Sequence, residues 1–588
     1  MAYITTHVRP LKKPSVVLVT SSGYPTSIAN FMPDNGLATL AAILNRAGIR
    51  VKIMDFNTVD QMRKYVPPIL QGKIEDAYKT ILEVMQEKKP SPKQKARLMM
   101  AGMKLRGIEK ILNIVRWQEE KNIAEKITSV VRAEEATLVG FKTFHGPGFS
   151  GPVHIAKELR GRFPDLLIAA GGPQVNTYRE HIPGLSLDDG VFDVLCIKDG
   201  EPAIVPLAEA SVGRSLLEVP NAFVRDRGTN GFNYTQDAFV GKMSDIPFPT
   251  YDPGIYLEME GDGKIRVVVI EDGRGCGQGC RFCIHGFAAG RQRREKSPAR
   301  VADEFQNNIN EYGINTARFG GSTSPGKYLR EFAEEVIRRT MKINWSSFAR
   351  LDIDPTILPT LRESGLIALF FGIESANQIE LDAMNKNIAI GKAEEIVSAC
   401  RGEGIFSVGS FIYPAPFSTA STIEMNMAFI RKTGMQSALC NPVGVFRGTD
   451  YAENPEENGI RMRYPSGIKN FLASIGLIGP AYYEHPDLIQ YLAKYEIRRL
   501  VPPKNWDALP WQVYYNNQWR GFKDYIAETQ TLFQRLRQEG IPMLTDEEAL
   551  MARKGGYSFA EFAMLSRKNI LNGNAEATQD MVVRINKG

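Results

Sequence analysis

Residues 267–283 read VVVIEDGRGCGQGCRFC, a short apolar run that leads directly into a glycine-rich loop with three cysteines. The apolar run is typical of a buried strand. Cys276, Cys280 and Cys283 are three of the six cysteines in the chain and fall within eight positions. Thiolates at this spacing can fold around one soft metal centre, and iron–sulfur clusters prefer such ligands. No fourth cysteine lies nearby, so the stretch predicts a cluster with three protein ligands and one iron open to another ligand.

Two other interpretations of the cysteines stay open. His285 follows the loop closely and could complete a structural zinc site, although zinc modules normally pair two ligand turns that are far apart in the chain. Cys196, Cys400 and Cys440 stand alone in apolar surroundings, where a small buried thiol is expected.

Downstream of residue 250, apolar runs alternate with amphipathic helical spans. Six βα units indicate a partial or complete parallel barrel, whose chemistry sits in the loops at the carboxyl ends of the strands. The predicted strands are Val267–Ile270, Thr316–Gly320, Asn344–Ala349, Ala368–Gly372, Ser407–Ile412 and Ala438–Val445.

Upstream, all-apolar strands again alternate with helices, which predicts an α/β domain with a doubly wound parallel sheet covered on both faces. Its ligand is expected beyond the carboxyl ends of the strands. The predicted strands are Val16–Thr20, Val51–Asp55, Thr137–Phe141, Leu166–Ala170 and Val194–Ile197. Residues 58–133 interrupt this pattern with charged helical sequence broken at Pro67-Pro68 and at Pro90-Ser91-Pro92, which we interpret as an inserted helical subdomain.

These patterns divide the chain into four parts. We expect a Rossmann-like domain over 1–215, a proline-rich linker over 216–250, the barrel over 251–463 and a helical C-terminal domain over 464–588. The last part carries an aromatic group from Trp506 to Trp519, which either lines a pocket or belongs to a core.

The composition excludes several classes of protein. The chain has 588 residues with 43% hydrophobic and 23% charged residues, which excludes a disordered or collagen-like chain. Six cysteines are too few for a secreted disulfide scaffold, and the N-terminus lacks the apolar run of a signal peptide, so a cytoplasmic protein is expected. No window reaches the length of a membrane span. A net charge of +6 is small for this length, and no nucleic-acid partner is expected.

One local charge imbalance stands out. Residues 88–110 contain eight Lys or Arg and a single acid, Glu109. Such a stretch forms either a solvated helix face or a contact with an anionic partner.

The CxxxCxxC loop after the first barrel strand resembles the signature of the radical S-adenosylmethionine (SAM) superfamily, with Phe282 at the usual aromatic position. The resemblance implies a 4Fe–4S cluster held by the three cysteines, with SAM on the open iron. It also implies SAM contacts in the loops that end the next strands. The implied contact residues are Phe282, Gly320, Gly321, Ser322, Arg350 and Glu374. Ser322 stands where members of this family commonly have an acidic residue. An Arg and a Glu on adjacent strand ends suit a zwitterionic ligand, but they could instead pair with each other across the barrel mouth.

The part before the barrel resembles, over about residues 14–215, the cobalamin domain of the cobalamin-dependent radical SAM class. The matching pieces lie at 33–37, 171–174 and 199–202, and the chain has no Walker sequence. The resemblance places cobalamin against Ser21, Ser22, Thr143, Phe144, Gly171, Gly172, Gln174, Gly200 and Glu201. The usual Asp-x-His-x-x-Gly pattern is missing, so cobalt is expected to lack a histidine, with His145 and His154 as alternatives. The competing interpretation is a sheet that binds nothing and only packs on the barrel.

This resemblance implies an enzyme, a C-methyltransferase that uses a deoxyadenosyl radical and methylcobalamin on an unactivated carbon. A cobalamin-dependent cyclase or other ring-rearranging enzyme without net methyl transfer is the alternative, and a non-catalytic cobalamin or iron–sulfur sensor is a distant one. The expected partners are a small-molecule or peptide substrate and an electron donor such as flavodoxin or ferredoxin.

Overall fold

A computed structural model describes residues 13–85, 91–144, 147–179, 182, 190–226, 228–229, 231–446, 448–462 and 511–588. Within these ranges no helix combines the length and the apolar character that crossing a membrane requires.

A seven-stranded sheet forms the N-terminal layer. Its strands are β1 (Ser15–Thr20), β2 (Arg50–Asp55), β3 (Leu138–Lys142), β4 (Leu167–Gly171), β5 (Val194–Cys196), β6 (Ala222–Arg225) and β7 (Phe232–Tyr234). They lie in the order β2-β1-β3-β4-β5-β6-β7. The first five are parallel, which confirms the predicted doubly wound sheet. The strands β6 and β7 are antiparallel and extend the sheet into the range predicted as linker, so the linker expected over 216–250 is too long.

Seven helices accompany this sheet. They are α1 (Asn35–Arg46), α2 (Val59–Tyr65), α3 (Pro68–Met85), α4 (Pro92–Ala133), α5 (Pro147–Arg162), α6 (Pro173–Tyr178) and α7 (Glu201–Ala210). Side chains alternate along β1: Val16 and Leu18 pack in the cluster that contains α1 and α7, whereas Val17 and Val19 pack with α4 and α5. The sheet is therefore covered on both faces.

Helices α2, α3 and α4 form the predicted insertion between β2 and β3. The break at Pro67-Pro68 separates α2 from α3, and α4 begins at Pro92 behind the N-cap Ser91, whose hydroxyl accepts from the Gln94 amide. Proline at the first helical position costs no hydrogen bond, so Pro92 starts a helix where an interior proline would break one.

A second sheet has six parallel strands in the order β15-β14-β13-β12-β11-β8. These strands are β8 (Val268–Ile270), β11 (Thr316–Phe319), β12 (Asn344–Ala349), β13 (Leu366–Glu374), β14 (Phe406–Ile412) and β15 (Ser437–Asn441), and a small ribbon of β9 (Gly273–Arg274) and β10 (Arg294–Glu295) follows β8. The connecting helices are α8 (His285–Ala288), α9 (Pro298–Tyr312), α10 (Gly326–Arg338), α11 (Leu358–Glu363), α12 (Gln378–Ala383), α13 (Ile390–Gly402) and α14 (Thr422–Thr433). All six predicted strands are present, which confirms the six βα units. The last is shorter than predicted because Pro442 has no amide to continue the ladder.

The helical C-terminal domain expected over 464–588 is confirmed for residues 522–588, and a small sheet precedes these helices. Helix α15 (Asp450–Glu453) precedes a three-stranded antiparallel sheet of β16 (Ile460–Met462), β17 (Trp511–Tyr515) and β18 (Gln518–Gly521). Helices α16 (Phe522–Gln538), α17 (Asp546–Lys554), α18 (Phe559–Leu571) and α19 (Ala575–Lys587) follow. Leu550 shares one hydrophobic core with Val267 of the barrel and Phe31 of the N-terminal part, so these last helices are packed into the molecule.

Candidate functional site

A cavity of about 560 Å³ opens at the carboxyl ends of the barrel strands. The three clustered cysteines line it together with Arg350 from the end of β12 and Glu374 from the end of β13. Phe282 and Ser322 line it as well. The structure therefore brings together seven of the nine residues predicted for the cluster and for SAM.

Backbone contacts shape the cysteine loop. Gly275 has a φ of +81°, and a Cβ atom there would meet the Gln292 carbonyl oxygen at 2.3 Å, so only glycine fits. The Cys276 amide donates to the Gly290 carbonyl at 3.1 Å. The chain after α12 holds the other side of the loop: the Arg281 amide donates to the Met384 carbonyl at 3.0 Å, and Asn385 Nδ2 donates to the Gly279 carbonyl at 2.8 Å. The loop is thus held from both sides.

The loop suits an iron–sulfur cluster in its donor chemistry. Burial raises the pKa of the Cys280 and Cys283 thiols, and the positive charge of Lys386 partly opposes this at both. A bound metal would reverse the balance, because a coordinating thiol loses its proton. Among the described residues, no group of three or more His, Cys, Asp or Glu side chains could hold a metal ion as placed. This holds for the three cysteines of a cluster as well as for a zinc site with His285, whose Nδ1 lies 3.4 Å from Ser322 Oγ, so the geometry does not separate the two.

Glu374 sits at a backbone irregularity that turns its carboxylate toward the loop. The register of β13 against β14 shifts between Gly372 and Glu374, and Glu374 has a φ of +66°. Lys386 Nζ donates to Glu374 Oε1 at 2.8 Å, and both side chains are almost buried. A Cβ atom on Gly372 would lie 2.4 Å from that carboxylate oxygen, so glycine makes room for the pair. Burial alone would lower the pKa of Lys386, but the negative charge of Glu374 raises it above its ordinary value.

Lys386 is the main residue that sequence reasoning missed. It lines the same cavity and lies 5.6 Å from the centroid of the Phe282 ring. The positive φ angles of Asn385 and Asn387 on either side bend the chain back over the cysteine loop. Two asparagines flanking a lysine are the only sequence signal of this turn, since Asn tolerates the left-handed region.

Arg350 and Glu374 do not pair with each other. Arg350 Nε donates to Asp352 Oδ2 at 2.8 Å, and Glu374 is held by Lys386. The alternative of an ion pair between them across the barrel mouth is therefore wrong. Both Arg350 and Glu374 line the cavity.

Gly320 and Gly321 do not line the cavity. The Gly321 amide donates to Oδ1 of the buried Asp272 at 2.8 Å, and a Cβ atom on Gly320 would meet Val269 at 2.7 Å. Their role in the structure is a close approach to β8, which leaves Ser322 and Thr323 to line the cavity.

A second cavity, of about 490 Å³, lies where the N-terminal sheet faces the barrel. Of the residues predicted for cobalamin, Ser22, Phe144 and Glu201 line it. Its other lining groups are mainly short polar residues of the loop after β1, including Asn30, Asp34 and Asn35.

The remaining predicted residues of that set do not line this cavity. Thr143 is buried, and its hydroxyl donates to the Gly171 carbonyl at 2.9 Å. Gly172, with a φ of +99°, caps the start of α6 where a Cβ atom would meet the Thr143 carbonyl oxygen at 2.8 Å. Ser21, Gln174 and Gly200 likewise do not line it.

Of the two histidines predicted as alternative cobalt ligands, His154 does not line this cavity. His154 Nδ1 lies 2.8 Å from the Glu120 carboxylate, in a hydrogen bond between α5 and α4. His145 falls outside the described residues.

A buried ion network joins the N-terminal loops to the cysteine loop. Arg274, two positions before Cys276, donates to Asp199 at 3.0 Å and to Glu271 at 2.6 Å, and binds both carboxylate oxygens of Glu201. Arg294 reaches Asp199 at 2.6 Å. Burial alone would raise the pKa of Asp199, but the guanidinium groups of Arg294 and Arg274 hold it below its ordinary value. Both carboxylate oxygens of Glu201, a residue predicted to contact cobalamin, thus accept hydrogen bonds from Arg274.

Comparisons with known proteins agree with this architecture. Residues 270–430 match the family model of the radical SAM superfamily. An uncharacterized methyltransferase of Pyrococcus horikoshii, PH0819, is 25% identical over 300 residues, which are 50% of this chain and 64% of that protein. An anaerobic magnesium-protoporphyrin IX monomethyl ester cyclase of Rubrivivax gelatinosus is 30% identical over 327 residues, 52% of this chain and 55% of that one. The chain thus spans less than two thirds of either curated relative.

A solved structure extends the likeness over the whole chain. The radical SAM methyltransferase TsrM from Kitasatospora setae, solved with cobalamin and a 4Fe–4S cluster bound, superposes with a TM-score of 0.60 at 15% identity. The superposition covers 96% of this chain and 99% of TsrM.

Residues 270–430 are therefore a radical SAM domain. With the N-terminal sheet in front of that domain, the chain has the same fold as TsrM.

Proposed function

We propose that the chain is a cobalamin-dependent radical SAM enzyme that methylates an unactivated carbon. The observation that carries the proposal is the first cavity, where three thiols, an arginine and a lysine-held glutamate converge at the carboxyl ends of parallel strands. This is the edge at which barrels of this kind place their chemistry.

The residues of the cavity have distinct roles in this proposal. Cys276, Cys280 and Cys283 hold the cluster, and Arg350 and Glu374 bind the methionyl and ribose groups of SAM. The bound cluster, SAM and cobalamin supply the radical and the methyl group. Apolar lining groups such as Phe348 and Val443 exclude water from the reacting carbon.

The second cavity is the proposed cobalamin site. A corrin is wide and carries amide arms, so it needs several loops with short polar side chains along one sheet edge. Ser22, Asn30 and Asn35 supply such groups, and Thr143 and Gly172 hold the neighbouring loop against β4.

The proposal includes a small-molecule or peptide substrate and a protein electron donor such as flavodoxin or ferredoxin. It also includes a cytoplasmic location, because three free thiols that must bind iron need a reducing compartment.

A cyclase without net methyl transfer is the second candidate. The observation that favours it is the 30% identity to the magnesium-protoporphyrin ester cyclase.

Anaerobic reconstitution with iron, sulfide and hydroxocobalamin separates these readings. The product is incubated with a reductant, an extract of the producing cell and SAM tritiated in its methyl group. Label in a small molecule together with 5′-deoxyadenosine supports methyl transfer. Deoxyadenosine without label transfer supports the cyclase. A protein that holds one zinc and shows no corrin absorption overturns both.

A further inference from the structure

Large apolar side chains crowd the outer face of helix α4. Six of the exposed large apolar residues in the described part of the chain lie within 19 positions of this one helix: Met99, Met100, Met103, Ile111, Ile114 and Trp117. Met100 is 67% exposed and Ile114 is 68% exposed. Monomeric proteins rarely expose contiguous apolar patches larger than a few hundred Å², and larger patches mark interaction sites.

The spacing puts these side chains on one stripe. Intervals of three, four and eight residues return to the same side of an α-helix, so the six residues form a ridge along about five turns, which we call the α4 ridge. The opposite side of the helix is already used, because Leu105, Ile108 and Leu112 pack against Tyr65 and α3. Helix α4 therefore has two apolar faces, and the fold covers only the inner one.

Basic residues border the α4 ridge on both sides. Residues 92–118 contain seven Lys or Arg and one acid. By helical position Lys93 and Lys104 lie along one border, Lys95 lies along the other, and Lys110 lies between Met99 and Met103 within the ridge. Within the described residues Lys104 has a distant partner, Asp76 at 4.0 Å, whereas Lys93, Lys95 and Lys110 are exposed and form no ion pair. Lys121 lies over the Trp117 ring, 3.8 Å from its centroid, and ends the ridge with a positive charge.

The apolar ridge with its neighbouring lysines fits some binding partners better than others. A second copy of the chain would set the same basic borders against each other, which is repulsive. A protein partner would need an acidic groove shaped to a straight convex ridge. A lipid surface accommodates a convex ridge without a groove, and Met, Ile and Trp between rows of Lys are the composition of a helix that lies in an anionic membrane interface.

We propose that the α4 ridge binds the chain to an anionic lipid surface, with the helix axis parallel to the membrane and no segment crossing it. The proposal does not depend on either cofactor. The negative lipid headgroups attract the lysines along the α4 ridge, and the six apolar side chains enter the layer just below the headgroups.

Vesicle sedimentation with the full chain tests the proposal. Vesicles of phosphatidylcholine alone are compared with vesicles that contain about 30% phosphatidylglycerol. We expect the chain to sediment with the anionic vesicles and not with the neutral ones. Raising the salt to about 0.5 M should release most of it, since exposed charges are then screened.

Two matched variants locate the surface. Met103→Glu with Ile114→Glu places two acids on the α4 ridge, and Ile379→Glu with Met564→Glu places two acids at positions 71% and 62% exposed on other helices. We expect at least a tenfold loss of vesicle binding for the ridge pair and little change for the control pair, with the same helix content by circular dichroism for both.

Several outcomes would overturn the proposal. These are a wild-type chain that stays in solution with anionic vesicles, equal binding to neutral vesicles, and equal binding by the two variants. Binding of purified acidic flavodoxin to the α4 ridge in place of vesicles would assign the surface to a protein partner instead.

Discussion

Lys386 and Glu374 show at the scale of single residues how the site is held. The pair is nearly buried, and Gly372 leaves the space that the carboxylate occupies. An almost buried carboxylate without its cation would keep the cost of desolvation and lose the compensating charge.

Replacing Lys386 with Met should therefore lower the free energy of unfolding by about 3 kcal/mol. The double variant Lys386→Met with Glu374→Gln should recover most of that loss, because no uncompensated charge remains. Urea unfolding of the three proteins measures both effects. A loss below about 1 kcal/mol for the single variant would mean that the pair behaves as an exposed one.

The buried carboxyl group of Glu258 should make the free energy of unfolding depend on pH. Burial raises its pKa to about 8 in the folded chain, against an ordinary 4.5. Between these values the folded chain holds one proton more than the unfolded chain, so the free energy of unfolding should fall as pH rises from about 5 to 8, by up to ~1.4 kcal/mol per unit.

The Glu258→Gln variant isolates this component. Its free energy of unfolding should lack that part of the fall, so the difference between wild type and variant should change steadily across the window. Parallel curves for the two proteins would show that Glu258 does not bind the extra proton.

The sequence predicted which residues lie together at the first cavity, and their roles there stay predictions. The cysteines, Arg350 and Glu374 come together because they follow the carboxyl ends of β8, β12 and β13, which are parallel strands of one sheet. Lys386 could not be predicted, because its position depends on a turn made by positive φ angles, which no periodic pattern records.

At the scale of elements, the cysteine loop depends on glycine at one position more than at its neighbours. Gly275 has a positive φ and no space for a side chain, whereas a Cβ atom on Gly277 would lie 3.7 Å from the nearest oxygen, an ordinary contact.

Gly275→Ala should therefore distort the loop and lower iron uptake after reconstitution by at least half, while Gly277→Ala should load as the wild type does. Iron and sulfide analysis of the two variants measures this. Equal loading would contradict the conclusion that Gly275 sets the loop.

Strands and helices followed the sequence closely in the two sheets, since buried parallel strands are continuous apolar runs. Prediction was poorer after Tyr464. The hairpin of β17 and β18 pairs with β16, which lies about 50 residues earlier in the chain, and local pattern does not reveal such a pairing.

At the scale of the whole molecule, Arg274 links the N-terminal loops to the cysteine loop. It contacts three carboxylates and is largely buried, so it ties the position of the cysteines to that of the N-terminal sheet.

Arg274→Met should lower the free energy of unfolding by about 3 kcal/mol, because three carboxylates lose a shared cation. Arg214→Met is the matched control, since Arg214 also pairs with two carboxylates, Glu209 and Glu218, but on the surface. This variant should cost far less stability than Arg274→Met, because exposed ion pairs contribute little. Similar losses for both would mean that burial adds nothing to the Arg274 network.

Cluster loading of cysteine variants tests the central claim most directly. The chain, its triple variant Cys276→Ala/Cys280→Ala/Cys283→Ala and the control Cys400→Ala, which removes a buried thiol elsewhere, are reconstituted anaerobically and analysed for iron, sulfide and zinc. Wild type and Cys400→Ala should each hold about four irons per chain, and the triple variant should hold almost none. Unchanged iron in the triple variant, or one zinc in place of iron in the wild type, would contradict the account.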